Sequence, residues 1–447
     1  MKSQAVQLPL EIMPKVGLGG KNGNANRLDP QDRAFHDWYR FVLSYPPHLV
    51  RHYLSTFNLD ENHVVLDPFC GTGTTLVEAK LAGVQAVGIE ANPFVHFASS
   101  VKTDWNIDPD ALSKQSRQIA CDVLDSLWKQ GIDDRKVFKG EIPDTLNRLT
   151  EEETKLILTD SISPLPLHKT LVLLNGLKAH QNERHYRHQL LALANALVFK
   201  ISNLHFGPEV GVGKPKADVP VTAAWLNEIE KMAGDLRTVA GEAHASSVQV
   251  HLADARQPER VLLPNSIDAV VTSPPYPNEK DYTRITRLES VILGFIGSKT
   301  ELQQLKKTLI RSNTRNVYKG DDDDIWISEH KEIQRVADII ENRRIELGKT
   351  SGFEKLYGKV TRLYFGGMAR HLAGLRTALR PGAQLAYVVG DQASYFRVMI
   401  RTGQLLGEIA QALGYELVNI DLFRTRLATA TREQLREEVV ILRWPER

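Results

Sequence analysis

The sequence predicts an α/β protein: a mostly parallel sheet, closed by an antiparallel hairpin and interrupted by helical insertions. Three observations predict it. Val64-Val65-Leu66, a helical stretch at 76–81 and Ala86-Val87-Gly88-Ile89 form a strand–helix–strand unit with Gly71-Thr72-Gly73 at the first junction. The strand pattern resumes at 248–252 and returns at 267–272 and 385–389, the last two largely apolar as in strands buried on both faces. The last two runs, 416–420 and 438–442, have no helical pattern between them, which suits a hairpin at a sheet edge. A parallel sheet with crossover helices is Rossmann-like.

In chain order, residues 1–33 are expected to be a flexible, turn-rich segment containing Gly17-Leu18-Gly19-Gly20. Periodicity begins at Phe35. Trp38, Phe41 and Val42, then Leu49, Val50, Tyr53 and Leu54, predict two helices around Tyr45-Pro46-Pro47. The first strand–helix–strand unit occupies 34–107, with Gly83 as its helix cap. Residues 108–245 are then helical in period, as at 171–177, 190–199 and 225–236, apart from a turn-rich stretch at 203–220. The α/β pattern resumes over 246–447 and carries a second insert at 296–352. Helices are expected at 368–379 and 404–413, with a Pro381-Gly382 turn after the first.

At 447 residues the chain can bury a large core. A net charge of +2 means that attraction to a polyanion must come from clustered charge. Two cysteines, Cys70 and Cys121, argue against a disulfide framework and fit a reducing compartment. No apolar run approaches the ~20 residues of a membrane span, and no charged-then-apolar leader is present, so a cytoplasmic protein is expected.

The glycine turn lets a ligand approach the backbone, because Cβ atoms are absent and helix N–H groups point outward. Gly71 and Gly73 lack the third glycine of a nicotinamide-cofactor loop. Asp67 precedes the turn, where a carboxylate repels a pyrophosphate yet accepts bonds from an ammonium. Glu90 ends the second strand, where an acid can hold both ribose hydroxyls. Asp254 ends a third strand and could accept from an adenine amino group. A single Gly-Thr-Gly turn or a single acid after a strand is commonly structural; three acids at successive strand ends point to a nucleoside.

Ser273-Pro274-Pro275-Tyr276 follows a buried strand. The prolines fix φ and remove two N–H donors, leaving carbonyls to accept. An exocyclic amino group needs two acceptors, which the Ser273 side-chain oxygen and the Pro274 carbonyl can supply, while Tyr276 can stack on the base. Such a base must leave its duplex. Neither cysteine follows a proline, so a Pro-Cys nucleophile loop is absent.

Together these stretches resemble the N4-cytosine/N6-adenine amino-methyltransferase family of DNA-modifying enzymes, over about residues 34–107 and 246–447. The resemblance implies the class I methyltransferase fold and S-adenosylmethionine as cofactor. Tyr45 and Pro46 would close over its methionine end; Asp67, Phe69, Gly71, Thr72 and Gly73 form the first cofactor motif; Glu90 and Asp254 are the ribose and adenine acids. Ser273, Pro274, Pro275 and Tyr276 become the catalytic loop, whose leading serine is associated mainly with N4-cytosine products. Double-stranded DNA is the implied partner, with a separate restriction endonuclease in a bacterial restriction–modification pair. The 108–245 insert is the candidate for target recognition. An N6-adenine enzyme, an RNA amino-methyltransferase and a catalytically idle nucleic-acid binder remain as rivals.

Basic residues that could neutralise phosphates are Lys214 and Lys216, then Arg311 and Arg315 in a cluster with Lys306, Lys307 and Lys319, then Arg424, Arg426 and Arg432, with Arg284 beside the loop. The run Asp321–Asp324 reads as a solvated face. It lacks the spacing of a calcium loop, so no metal site is expected.

Overall fold

The computed structural model describes residues 28–40, 44–207, 209–240, 246–278, 280–427 and 434–446; most of the turn-rich 1–33 segment lies outside them. The chain passes through a 3-10 turn at His36–Trp38 and helix α1 (Pro47–Thr56). It then forms β1 (Val64–Asp67), α2 (Thr74–Leu81), β2 (Gln85–Glu90) and α3 (Pro93–Lys102). A helical block follows: α4 (Pro109–Lys129), α5 (Glu151–Leu156), α6 (Pro164–Lys178) and α7 (Tyr186–Ala196), a hairpin of β3 (Leu204–Phe206) and β4 (Val210–Val212), and α8 (Val221–Val239). After β5 (Val248–Leu252) and β6 (Ile267–Thr272) come α9 (Tyr282–Ile285), α10 (Arg287–Ile292), α11 (Lys299–Lys307), α12 (Lys331–Glu346) and α13 (Tyr357–Leu375). The chain ends with β7 (Leu379–Gly390), α14 (Thr402–Ala412), β8 (Glu416–Leu427) and β9 (Gln434–Arg443).

Seven strands form one sheet in the order β5-β2-β1-β6-β7-β9-β8. The first five are parallel, and β9 runs antiparallel between β7 and β8. This is the Rossmann-like fold with helical insertions that the strand pattern predicts. The central strands β1, β6 and β7 are covered on both faces, which is why they read as near-continuous apolar runs, whereas the edge strands β5 and β8 are partly exposed. Val65 and Val271 pack with Leu49, Tyr53 and Leu76 on one face; Leu66 and Val270 pack with Tyr364, Phe365, Leu372 and Leu405 on the other. The helical block has its own core, which takes in Trp38 and α3. Within it the buried Lys169 ammonium lies 3.0 Å from Asp134 and 2.6 Å from Asp218, and Asp134 also accepts from the first two N–H groups of α8. A buried charge is tolerated only with such partners.

The structure differs from the sequence reading in three places. The expected helix at 35–42 is a tight turn over its described part: Phe35 has φ +60°, and Asp235 accepts from its N–H and from the Trp38 indole. The turn-rich stretch at 203–220 contains the β3–β4 hairpin, too short to give a periodic signal. Helix α13 begins eleven residues before the expected 368 and stops at Leu375, because β7 already starts at Leu379.

Candidate active site

Strand order reverses at β1, with β2 and β5 on one side and β6 and β7 on the other. A crevice therefore opens beyond the carboxyl ends of β1 and β6. It holds a cavity of about 580 Å³, lined by Tyr45, Phe69, Gly71, Thr72, Glu90 and Asp254, and also by Ser273, Pro274, Pro275 and Tyr276. The two halves that sequence separates by some 180 residues thus share one space.

The turn between β1 and α2 takes φ +51° at Gly71 and +83° at Gly73, the left-handed region that a side chain resists. Gly73 caps α2 from beneath; it does not line the cavity, and neither does Pro46, which precedes α1. The Thr72 hydroxyl is buried without a partner among the described residues. Glu90 accepts from the N–H of Gly71 (3.1 Å) and of Asn92 (2.8 Å), which leaves lone pairs on both oxygens for a diol. Burial pushes its carboxyl up to about 7. An orphaned hydroxyl and a half-satisfied acid in a cavity of this size fit a bound nucleoside cofactor.

Two acids differ from expectation. Asp67 is fully buried and does not line the cavity. Its carboxylate takes four donors: Phe69 N–H, the Thr272 and Thr75 hydroxyls (2.6 Å each) and the Tyr45 hydroxyl. A carboxylate offers about four lone-pair sites, so none is left for an ammonium. Asp67 instead ties β1 to β6, to α2 and to Tyr45. Asp254 does line the cavity, but Arg256 clamps it, donating from Nη2 at 2.6 Å and from Nε at 3.0 Å. Arg256 in turn meets Asp323 at 2.6 Å. The sequence reading missed Arg256; its place two residues after a strand-end acid was the available signal.

Opposite the turn, the Ser273 hydroxyl donates to the Val388 carbonyl at 3.2 Å, which commits its proton and leaves its lone pairs to accept. The Tyr276 ring lies against Gly390, where an added Cβ would sit 2.9 Å from its Cε2 atom. Burial first, and then the Glu437 charge, holds the Tyr276 phenol well above its ordinary range. The second insert contributes Asn316, which lines the cavity and whose buried side-chain oxygen has no partner among the described residues. Glu209, from the β3–β4 hairpin, reaches the same cavity.

A family model described as DNA methylase matches residues 22–99. The chain is 23% identical over 432 residues to the Type II methyltransferase M.BsoBI of Geobacillus stearothermophilus, covering 92% of this chain and 85% of that protein. It is 22% identical over 450 residues to the Type II methyltransferase M.AvaI of Nostoc sp., covering 94% and 88%. These matches support the N4/N6 DNA methyltransferase family that the sequence motifs resemble. A shorter match, 31% identical over 114 residues, is to a tRNA (guanine(10)-N2)-dimethyltransferase of Methanocaldococcus jannaschii, covering 26% of this chain and 27% of that protein. The family match takes in Asp67, the glycine turn and Glu90.

The basic residues expected at DNA divide. Lys214 and Arg315 are exposed. Arg311 is a correction: it is buried and held by Asp321 at 2.7 Å and 2.8 Å, so it faces no phosphate. The Lys216 ammonium is half-buried and donates to the carbonyls of Lys200 and Ser202. The acidic run is not wholly solvated either, since Asp323 is buried between Arg256 and Arg370. Arg284 is half-buried, with its Nε lacking a partner among the described residues. Arg424 lines the cavity itself. The Arg426 side chain and Arg432 lie outside the described residues.

Proposed function

We propose that the protein is an S-adenosylmethionine-dependent DNA methyltransferase acting on the exocyclic N4 of a cytosine swung out of its duplex. One observation carries this: Glu90 and Asp254 share a single cavity with Ser273–Tyr276. S-adenosylmethionine, when bound, supplies an electrophilic methyl on a sulfonium. The chain's residues do the rest by position. Glu90 holds the ribose end, the Asp254–Arg256 pair borders the adenine end, and Thr72 meets a polar group along the turn. Ser273 Oγ and the Pro274 carbonyl accept the two amino hydrogens, which turns the nitrogen lone pair toward the methyl. Direct displacement needs no covalent intermediate, so positioning and charge complementarity supply the rate.

The leading serine favours cytosine over adenine through the family resemblance. The Type II names of both long relatives support a restriction–modification role beside a separate endonuclease. The helical insert 108–245, with Glu209 at the cavity, is the proposed target-recognition element. The tRNA-enzyme match supports a second reading, methylation of RNA, but it covers a quarter of the chain where the DNA-enzyme matches cover nearly all.

The test is nucleoside mass spectrometry after incubation with unmethylated genomic DNA, or with RNA, and methyl-labelled S-adenosylmethionine. Label in N4-methylcytosine is expected. Label in N6-methyladenine would move the target base, and label only in RNA would overturn the DNA assignment.

A further inference from the structure

Strand β8 carries a bulge. Leu422 pairs with Glu438 and Arg424 with Glu437, so Phe423 is the extra residue against two consecutive partners. In a regular strand, neighbouring side chains point to opposite faces. Here Phe423 and Arg424 both line the cavity, because a bulge re-aims a side chain toward the site beside it. Glu437, on β9, holds the guanidinium from one side: Nε donates at 2.5 Å and Nη2 at 2.9 Å. Two of five N–H groups are thereby used, and among the described residues three remain uncommitted. The same Glu437 packs against Gly390, the residue on which the Tyr276 ring rests.

We propose that Arg424 is a specificity-determining residue that reads the Watson–Crick edge of the flipped base. This rests on the methyltransferase function proposed above. With the amino group held at Ser273 and Pro274, a cytosine presents two further acceptors along the same edge, N3 and O2. In a base pair, guanine answers these with two N–H groups on one N–C–N fragment. The guanidinium is that same fragment, and it is fixed here by Glu437 rather than by a ring. An adenine in the same pose presents an acceptor at N1 but a C–H at C2. One Arg424 donor is then left buried without a partner, which is the costly case. A planar fork suits this task, whereas a lysine offers a point charge. Phe423, buried beside it, gives the edge an apolar wall.

The experiment first locates the methylated site in genomic DNA, then uses duplexes carrying that site with cytosine or adenine at the target position. Each stands opposite an abasic residue, so that both bases leave the helix at similar cost. The readout is the ratio of kcat/KM for cytosine to that for adenine. Arg424→Met combined with Glu437→Gln removes both charges, so no buried acid is stranded. The ratio is expected to fall by about 10- to 100-fold, the scale of one bidentate base contact, with the calorimetric Kd for S-adenosylmethionine unchanged. Arg424→Lys keeps the tie to Glu437 and is expected to give an intermediate ratio; it also serves if the double variant does not fold. Wild-type N4-methylcytosine with an unaltered ratio in the variants, or equal slowing on both bases, overturns the Arg424 assignment alone. Wild-type N6-methyladenine, or no DNA product, overturns the proposed function and this inference with it.

Discussion

Cofactor binding should depend on pH through Glu90. Its carboxyl is pushed up to about 7 by burial, although it accepts two backbone N–H bonds. A ribose diol donates and so needs the ionised form. If only that form binds, the apparent Kd scales as one plus the protonated-to-ionised ratio, making binding about tenfold weaker at pH 6 than at pH 8. Near pH 7 about half a proton should be released on binding, measurable by calorimetry in buffers of different ionisation enthalpy. The sign for stability is the reverse of the usual acid. A folded pKa above the unfolded value of 4.5 means that the native state holds the extra proton, so this group's contribution falls as pH rises from 4.5 through about 7. Buried Glu289, also pushed up to about 7, shares that direction, so thermal melts alone do not isolate Glu90. Glu90→Gln does: it should bind S-adenosylmethionine more weakly at pH 8 and show no pH slope. A flat wild-type Kd between pH 6 and 8, or an unchanged slope in Glu90→Gln, would refute the reasoning.

Ser273→Ala removes the proposed amino acceptor; turnover should drop by about 100-fold with cofactor Kd unchanged, and equal losses in both would sink the role assigned to it. Gly390→Ala brings a Cβ to 2.9 Å from the Tyr276 ring, so the ring must shift. Steady-state kinetics should show reduced kcat with cofactor affinity intact, at a stability cost of about 1–3 kcal/mol by chemical denaturation. Arg311→Ala strands the buried Asp321 carboxylate and should destabilise by about 3–5 kcal/mol. Arg315→Ala, at an exposed site, should fold as wild type and lower the salt slope of DNA binding by about one. A melting temperature for Arg311→Ala equal to wild type would contradict the burial argument.

The sheet was legible because strands buried on both faces announce themselves as apolar runs, as Val64-Val65-Leu66 does. The location of the site was legible where several strand-end motifs coincide, since Glu90, Asp254 and Ser273–Tyr276 line one cavity. What sequence did not carry was the partner of each charge. Asp67 and Arg311 look functional on paper because neither the Thr75–Thr272–Tyr45 donors nor Asp321 can be matched to them before the fold is known. Arg424 stands out in the sequence by its charge alone; its position at the cavity follows from one extra residue in β8, which leaves no periodic trace.

The central pairing of the sheet has a consequence for how the molecule is made. β1 meets β6 through Val65 with Ala269, and the N–H of Val64 with the side chain of Asp268, partners about 200 residues apart in the chain. At roughly 5–20 residues per second of translation, β1 waits on the order of 10–40 s for β6 to be synthesised. During that interval the helical block between them can fold from local contacts while one side of β1 stays open. The crevice shared by the glycine turn and the Ser273–Tyr276 loop closes only in that late event, so a nascent chain stalled before β6 lacks the cavity that joins the two halves. Ligand added during refolding should accordingly act on the last phase of folding and leave the earlier ones unaltered.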